Sequence, residues 1–91
     1  PMPRAMLTIG YNIGYNSVSA RGTSNYPEEF LTIEFWLYTD KGIYITSGSA
    51  SGYWQAIAYK SVSLESGTYR LVATVTGEVS GSMTLAFYPE I

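Results

Sequence analysis

The chain has 91 residues, a formal net charge of −2, and only 13% charged against 46% hydrophobic residues, whereas soluble domains average about 25% charged residues. This composition fits one folded domain, residues 1–91, and excludes a disordered chain, because disordered chains are rich in charge and poor in aromatic residues. The five basic residues are scattered, and no apolar run approaches the roughly 20 residues of a membrane span, so neither nucleic acid nor membrane insertion is expected.

The first predicted strand, Leu7–Tyr15, alternates apolar with small or polar residues at a period of two. It contains a tandem repeat, in which Ile9–Asn12 (IGYN) is followed by an identical Ile13–Asn16. One strand face would then carry only small or amide side chains, which allow close approach of another backbone: Gly10, Asn12, Gly14 and Asn16. Two interpretations remain open, an ordinary edge strand with a thin solvent face or an arm that pairs with a neighbouring subunit.

The middle of the chain is predicted to contain two strands joined by a tight hairpin turn. A long loop is expected at residues 16–29, because Gly, Ser, Asn and Pro interrupt it. Strand two follows at Phe30–Tyr38, where aliphatic residues and Phe35 alternate with polar and aromatic ones. Asp40-Lys41-Gly42 then forms the turn into strand three, residues 43–46. The Ser- and Gly-rich segment at residues 47–52 is predicted to be a flexible loop.

The last third of the chain is predicted to contain three more strands. Strand four, Tyr53–Val62, has no clear inner face, since either Tyr53, Ile57 and Tyr59 or Trp54, Ala56 and Ala58 could point inward. A turn at residues 65–67 precedes strand five, Thr68–Thr76. Strand five is predicted to bury Tyr69, Leu71, Ala73 and Val75. A turn at residues 77–81 precedes strand six, which is predicted to bury Met83, Leu85 and Phe87.

These elements predict an all-β fold. Short strands, short turns and the absence of a helical period are typical of a single antiparallel β-sandwich, jelly-roll or immunoglobulin-like, with about six to eight strands and no significant helix. Because the chain has no cysteine, packing alone must stabilise the domain.

The outer face of strand two carries aromatic residues. If its aliphatic residues point inward, Phe30, Trp36 and Tyr38 point outward, and Tyr44 of the next strand lies beside them. An exposed aromatic patch on a monomer calls for an explanation. It could be a subunit interface, a stacking platform for sugar rings, or a surface that the predicted loop 16–29 covers.

Catalytic groups are nearly absent from the sequence. Without His and Cys, the chain lacks the usual neutral-pH bases, thiol nucleophiles and zinc ligands. Glu34, between the outer aromatics, could anchor a sugar hydroxyl or simply keep that face soluble. The adjacent Glu28 and Glu29 are a weak metal signal or part of a solvated loop. We therefore expect no enzyme, no metal and no cofactor.

Several segments follow the feature order of a known sandwich family. A strand ends in a D-x-G turn at Leu37–Gly42, a Ser/Gly-rich loop follows at residues 47–52, a G-T-Y strand starts within Leu64–Leu71, and a final hairpin strand starts within Gly81–Leu85. Over residues 31–88 the chain resembles the bacterial pre-peptidase C-terminal type of β-sandwich domain, although only Asp40 remains of the aspartates often seen there. The resemblance implies an accessory, non-catalytic module of secreted proteins.

Two functional hypotheses follow from these observations. The first is a structural or assembly subunit that binds other copies of itself, or a larger particle, through its low-charge, Tyr- and Trp-rich sheet surface. The second is a carbohydrate-binding module, with Trp36, Tyr38 and Tyr44 as the stacking face and Glu34 as the polar anchor. A hydroxyl-rich surface with few charges fits an extracellular or particle-surface protein under either hypothesis.

Overall fold

The structure, a computed structural model, describes residues 6–91, which form seven β-strands and no helix. In chain order the strands are β1 (Leu7–Ile13), β2 (Ser17–Ser24), β3 (Phe30–Thr39), β4 (Tyr44–Tyr53), β5 (Gln55–Ser61), β6 (Tyr69–Gly77) and β7 (Gly81–Phe87). They form a three-stranded sheet in the order β1-β2-β5 and a four-stranded sheet in the order β4-β3-β6-β7. Every strand pair is antiparallel. The predicted antiparallel β-sandwich is therefore confirmed.

The core combines large residues from one sheet with small residues from the other. The four-stranded sheet contributes fully buried side chains from its two central strands: Leu31, Ile33, Phe35, Leu37, Leu71, Ala73 and Val75. The three-stranded sheet faces them with smaller buried residues: Val18, Ala20, Ala56 and Ala58. Because interiors pack at crystal-like density, the large side chains occupy the space that the small ones leave free.

The predicted loop at residues 16–29 is wrong, because most of it is β2. This strand lies at the centre of the three-stranded sheet, between β1 and β5. Its inward-facing residues include Val18, Ala20, Gly22 and Ser24. Alanine, glycine and serine give little hydrophobic contrast, so the alternation was hidden in the sequence, while the Gly and Ser content favoured a loop.

The predicted flexible loop at residues 47–52 is also wrong, because β4 continues through it to Tyr53. These small residues pair with β3, from Ser47 opposite Trp36 to Gly52 opposite Leu31. Gly48 is required there, since a Cβ at this position would lie 2.6 Å from Cε2 of Phe35. The small residues of β4 thus make room for the large residues of β3.

Other strand boundaries and faces also differ from the predictions. β1 ends at Ile13 rather than Tyr15, so the second IGYN copy forms the strand end and the turn. On β5, Ala56 and Ala58 point inward and Ile57 points outward, whereas Trp54, the third residue of that predicted inner face, is exposed. Leu85, predicted to be buried, is 39% exposed. It lies on β7, an outer strand of the wider sheet, which the three opposing strands cover only in part.

One of the crossings between the two sheets, from β4 to β5, is made by a single residue. Trp54 lies between β4 and β5 with a φ of 56°, a left-handed conformation that is uncommon outside glycine. Its N–H donates to the Glu29 carbonyl at 2.7 Å, and its carbonyl accepts the Ser24 N–H at 2.8 Å. These two bonds fix the corner beside the start of β3.

Candidate binding face of the four-stranded sheet

The outer face of the four-stranded sheet is built mostly from small hydroxyl residues and aromatic residues. The register places Thr32 between Ser51 and Thr76, and Glu34 between Ser49 and Thr74. By the strand alternation, the outward-facing residues are Phe30, Thr32, Glu34, Trp36, Tyr38, Tyr44, Ser47, Ser49, Ser51, Tyr53, Arg70, Val72, Thr74, Thr76, Ser82, Thr84 and Ala86. Glu34 and Arg70 are the two charged residues in this set, which we call the outer face.

The hydroxyls of the outer face bond to one another across the strands. Thr32 and Ser51 are paired by their hydroxyl oxygens at 3.0 Å. Thr74 and Thr84 pair at 2.8 Å. Thr76 and Ser82 pair at 3.0 Å. Each pair satisfies one donor and one acceptor within the sheet, so part of the hydrogen-bonding demand of this face is met before any partner binds.

At one end of the outer face, two tyrosine rings contact each other and an arginine guanidinium lies over one of them. A register shift between Leu37 and Tyr38 places Tyr38 opposite Tyr44, and their ring centroids lie 6.2 Å apart. The guanidinium carbon of Arg70 lies 4.7 Å from the centroid of the Tyr38 ring, within the range of a cation–π contact. The Arg70 Nε is buried and has no hydrogen-bond partner among the described residues.

The predicted aromatic patch is therefore split. The structure brings Tyr38 and Tyr44 into contact, with Trp36 one outward position along β3. Phe30 lies at the opposite end of β3 and contacts Tyr53 instead, at a centroid distance of 5.2 Å. The Trp36 neighbour on β6 is Val72, and these two side chains form an apolar centre between the hydroxyl rows and the Tyr38 end.

The interpretation that a loop covers these aromatics is wrong. The segment expected to cover them contains β2, which belongs to the opposite sheet. Glu34 and Tyr44 are exposed, and Phe30, Trp36 and Tyr38 are half-buried. The structure adds Arg70 and Val72 to the face. The alternation of strand five already predicted their outward direction, but no local pattern reveals that this strand pairs with β3.

A cleft opens beside the outer face, along the free edge of β4. Its volume is about 340 Å³. The polar and aromatic side chains that line it are Glu34, Trp36, Ser47, Ser49, Tyr59 and Lys60. Tyr59 and Lys60 come from β5 of the other sheet, so this cleft depends on the sandwich rather than on one strand. No pattern in the sequence indicates that they lie near Trp36.

The predicted pairing face of the first strand lies on an edge strand of the three-stranded sheet. It is less bare than expected, because the Arg21 guanidinium lies 3.6 Å from the position of a Cβ on Gly10. Gly14 and Asn16 lie at the turn, where the Asn16 carbonyl accepts the Val62 N–H at 3.1 Å. Only Gly10 and Asn12 therefore remain on the strand face that the repeat predicted.

Glu29, expected in a solvated loop or a metal site, is 3% exposed. Burial alone raises the pKa of its carboxyl, but hydrogen bonds from Ser24, Ser80 and Val79 outweigh that effect and lower the pKa to about 2. The hydroxyls of Ser24 and Ser80 donate to one carboxylate oxygen at 2.6 Å each. The N–H groups of Val79 and Ser80 donate to the other oxygen, at 2.9 and 2.6 Å. Glu29 is thus a structural anion.

Residues 6–91 contain no group of three or more His, Cys, Asp or Glu residues that could hold a metal ion. Within the same residues, no helix is long and apolar enough to cross a membrane. Comparisons with protein-family models, with curated proteins and with solved structures found no match.

Proposed function

We propose that this protein is a non-catalytic structural subunit that associates with other copies of itself through the outer face. The observation that carries the proposal is the set of hydroxyl pairs on that face, such as Thr74 with Thr84 at 2.8 Å. A buried hydroxyl without a partner costs free energy, whereas one already bonded can be covered at little cost. A second protein surface can therefore displace water from this face at little cost in free energy.

The composition of the outer face supports the same function. Interfaces are depleted of charge at their centre and enriched in Tyr, Trp and Arg. The central pair here is Trp36 and Val72, with Tyr38, Tyr44 and Arg70 at one end. The low charge of the whole chain limits repulsion between copies. Assembly of this kind suits an extracellular or particle-surface protein.

A matched pair of variants tests the proposal. Val72→Glu places a carboxylate at the centre of the outer face, and Ile57→Glu makes the same change in net charge on the outer side of the opposite sheet. We expect Val72→Glu to weaken self-association about tenfold or more, because an unpaired carboxylate would be desolvated. Ile57→Glu should leave it unchanged. Sedimentation equilibrium over a concentration series measures both.

Equal weakening by the two variants would mean that association follows total charge rather than this face. A wild-type protein that stays monomeric up to about 1 mM, where contacts worth only about 4 kcal/mol are detectable, would refute self-association outright. Circular dichroism of each variant establishes that the sandwich is intact.

A second candidate function is carbohydrate binding in the cleft along β4. The cleft combines two rings, Trp36 and Tyr59, with the charged groups of Glu34 and Lys60. Small-molecule sites occupy clefts of about 300–1,000 Å³ with a few convergent polar groups, and the cleft volume of about 340 Å³ falls within this range. Aromatic faces bind the apolar faces of sugar rings, while charged and hydroxyl groups bind their hydroxyls.

Titration of tryptophan fluorescence with polysaccharides tests this second function, and Trp54 provides the control. The chain has two tryptophans, and Trp54 lies at the sheet corner, outside the residues that line the cleft. If a sugar binds there, Trp36→Ala should remove the response and Trp54→Ala should keep it. A response that Trp36→Ala leaves intact places any sugar elsewhere.

A further inference from the structure

The two charges of the outer face lie diagonally on either side of its apolar centre. Glu34 is on β3 opposite Thr74, and Arg70 is on β6 opposite Tyr38. At about 3.3 Å per residue and about 4.8 Å between strands, the two residues are separated by roughly 14 Å. The register places the midpoint between them at the Trp36–Val72 pair.

We infer that the outer face forms a two-fold symmetric, face-to-face dimer with two reciprocal Glu34–Arg70 ion pairs, a step that rests on the proposed self-association. In a two-fold interface the same patch must complement itself. Consider a two-fold axis that lies in the plane of the interface, passes over the midpoint and runs perpendicular to the Glu34–Arg70 line. Rotation about this axis brings each Glu34 opposite the partner's Arg70. The same operation places Trp36 close to the partner's Trp36.

The state of Arg70 in the single chain supports this pairing. Its guanidinium stacks on Tyr38, which restricts the side chain and holds its charge at the surface of the sheet. Its Nε is buried within the chain, so a partner's carboxylate would contact the terminal guanidinium nitrogens. Glu34 is exposed, so its carboxylate is accessible to a partner. An Arg–carboxylate contact across the interface joins two opposite charges through charge-assisted hydrogen bonds.

The size of the outer face determines the expected strength of the dimer. Four strands with about eight residues each cover roughly 500 Å² per protomer, or about 1,000 Å² for the pair. Stable complexes bury about 1,200–2,000 Å². The dimer is therefore weak and reversible, and its charge pairs contribute mainly to orientation and specificity.

Charge reversal provides the test. Glu34→Arg places like charges opposite each other twice in the dimer, and so does Arg70→Glu, so each single variant should weaken dimerisation about tenfold or more. The double variant restores opposite charges and should return to within about threefold of wild type. Glu65→Arg, at an exposed turn, and Arg21→Glu, on the opposite sheet, make the same changes outside this face and should have no effect.

Sedimentation equilibrium reports the dissociation constants, and circular dichroism shows which variants are folded. If a reversal variant unfolds, the neutral variants Glu34→Gln and Arg70→Gln replace it. The proposed ion pair then requires that their double-mutant cycle show a non-additive loss of affinity. A double reversal as weak as the single ones, together with a disruptive Val72→Glu, overturns the ion-pair geometry but leaves association through this face intact. A strictly monomeric wild type overturns both.

Discussion

At the residue scale, Gly22 shows how closely the two sheets approach each other. A Cβ at this position would lie 2.5 Å from Cγ2 of Val75 and 3.5 Å from Cδ1 of Ile33. Gly22 is on β2 and faces the fully buried residues of β3 and β6. Because glycine has no side chain, Gly22 allows the two sheets to approach this closely at the centre of the core.

We expect Gly22→Ala to destabilise the fold by about 1–3 kcal/mol, the usual cost of overpacking a core. Gly14→Ala is the control, because no atom lies within 4 Å of a Cβ there, and it should be neutral or slightly stabilising. Urea denaturation measures both free energies of unfolding. In the double variant Gly22→Ala/Val75→Ala, a combined loss smaller than the sum of the single losses would locate the clash at Val75.

At the element scale, the strands with large, regularly alternating residues could be predicted from the sequence, and those with small residues could not. β3 and β6 alternate bulky aliphatic and aromatic residues with polar ones, and both were identified. β2 and the second half of β4 carry Ser, Gly and Ala, whose local chemistry favours loops. β2 covers the bulky inner faces of β3 and β6 from the opposite sheet, and β4 pairs with β3 where Gly48 leaves space for Phe35. Both are tertiary requirements that a local pattern does not contain.

The outer face follows the same rule. The sequence predicted the outward direction of Trp36, Tyr38 and Glu34, because they alternate with aliphatic residues on one strand. It could not separate Phe30 from the others or add Arg70, because those facts depend on the pairing of β3 with β4 and β6. Faces are local properties of a strand, whereas neighbours across strands depend on topology.

At the scale of the whole molecule, one buried carboxylate joins segments that are far apart in the chain. Glu29 immediately precedes β3, accepts a hydrogen bond from Ser24 at the end of β2, and accepts three more from Val79 and Ser80 in the β6–β7 turn. Gly77 leaves space for it, since a Cβ there would collide with the carboxylate. The ionised carboxylate of Glu29 therefore links the two sheets, and its contribution to the stability of the fold depends on pH.

Glu29→Gln should lower the free energy of unfolding at pH 7 by about 1–3 kcal/mol, because hydrogen bonds to a charged acceptor are stronger than those to a neutral one. The pKa of Glu29 is about 2 in the folded chain against an ordinary value of 4.5. Because its pKa is lowered in the folded state, ionised Glu29 contributes its full stabilisation above about pH 4.5. That contribution is lost as the pH falls toward 2. The stability gap between wild type and Glu29→Gln should therefore narrow over that interval, as measured by urea denaturation at several pH values. Glu28→Gln changes the exposed neighbour and should show no comparable difference in stability from wild type. A difference between wild type and Glu29→Gln that stays constant from neutral pH into acid would contradict an ionised, buried Glu29.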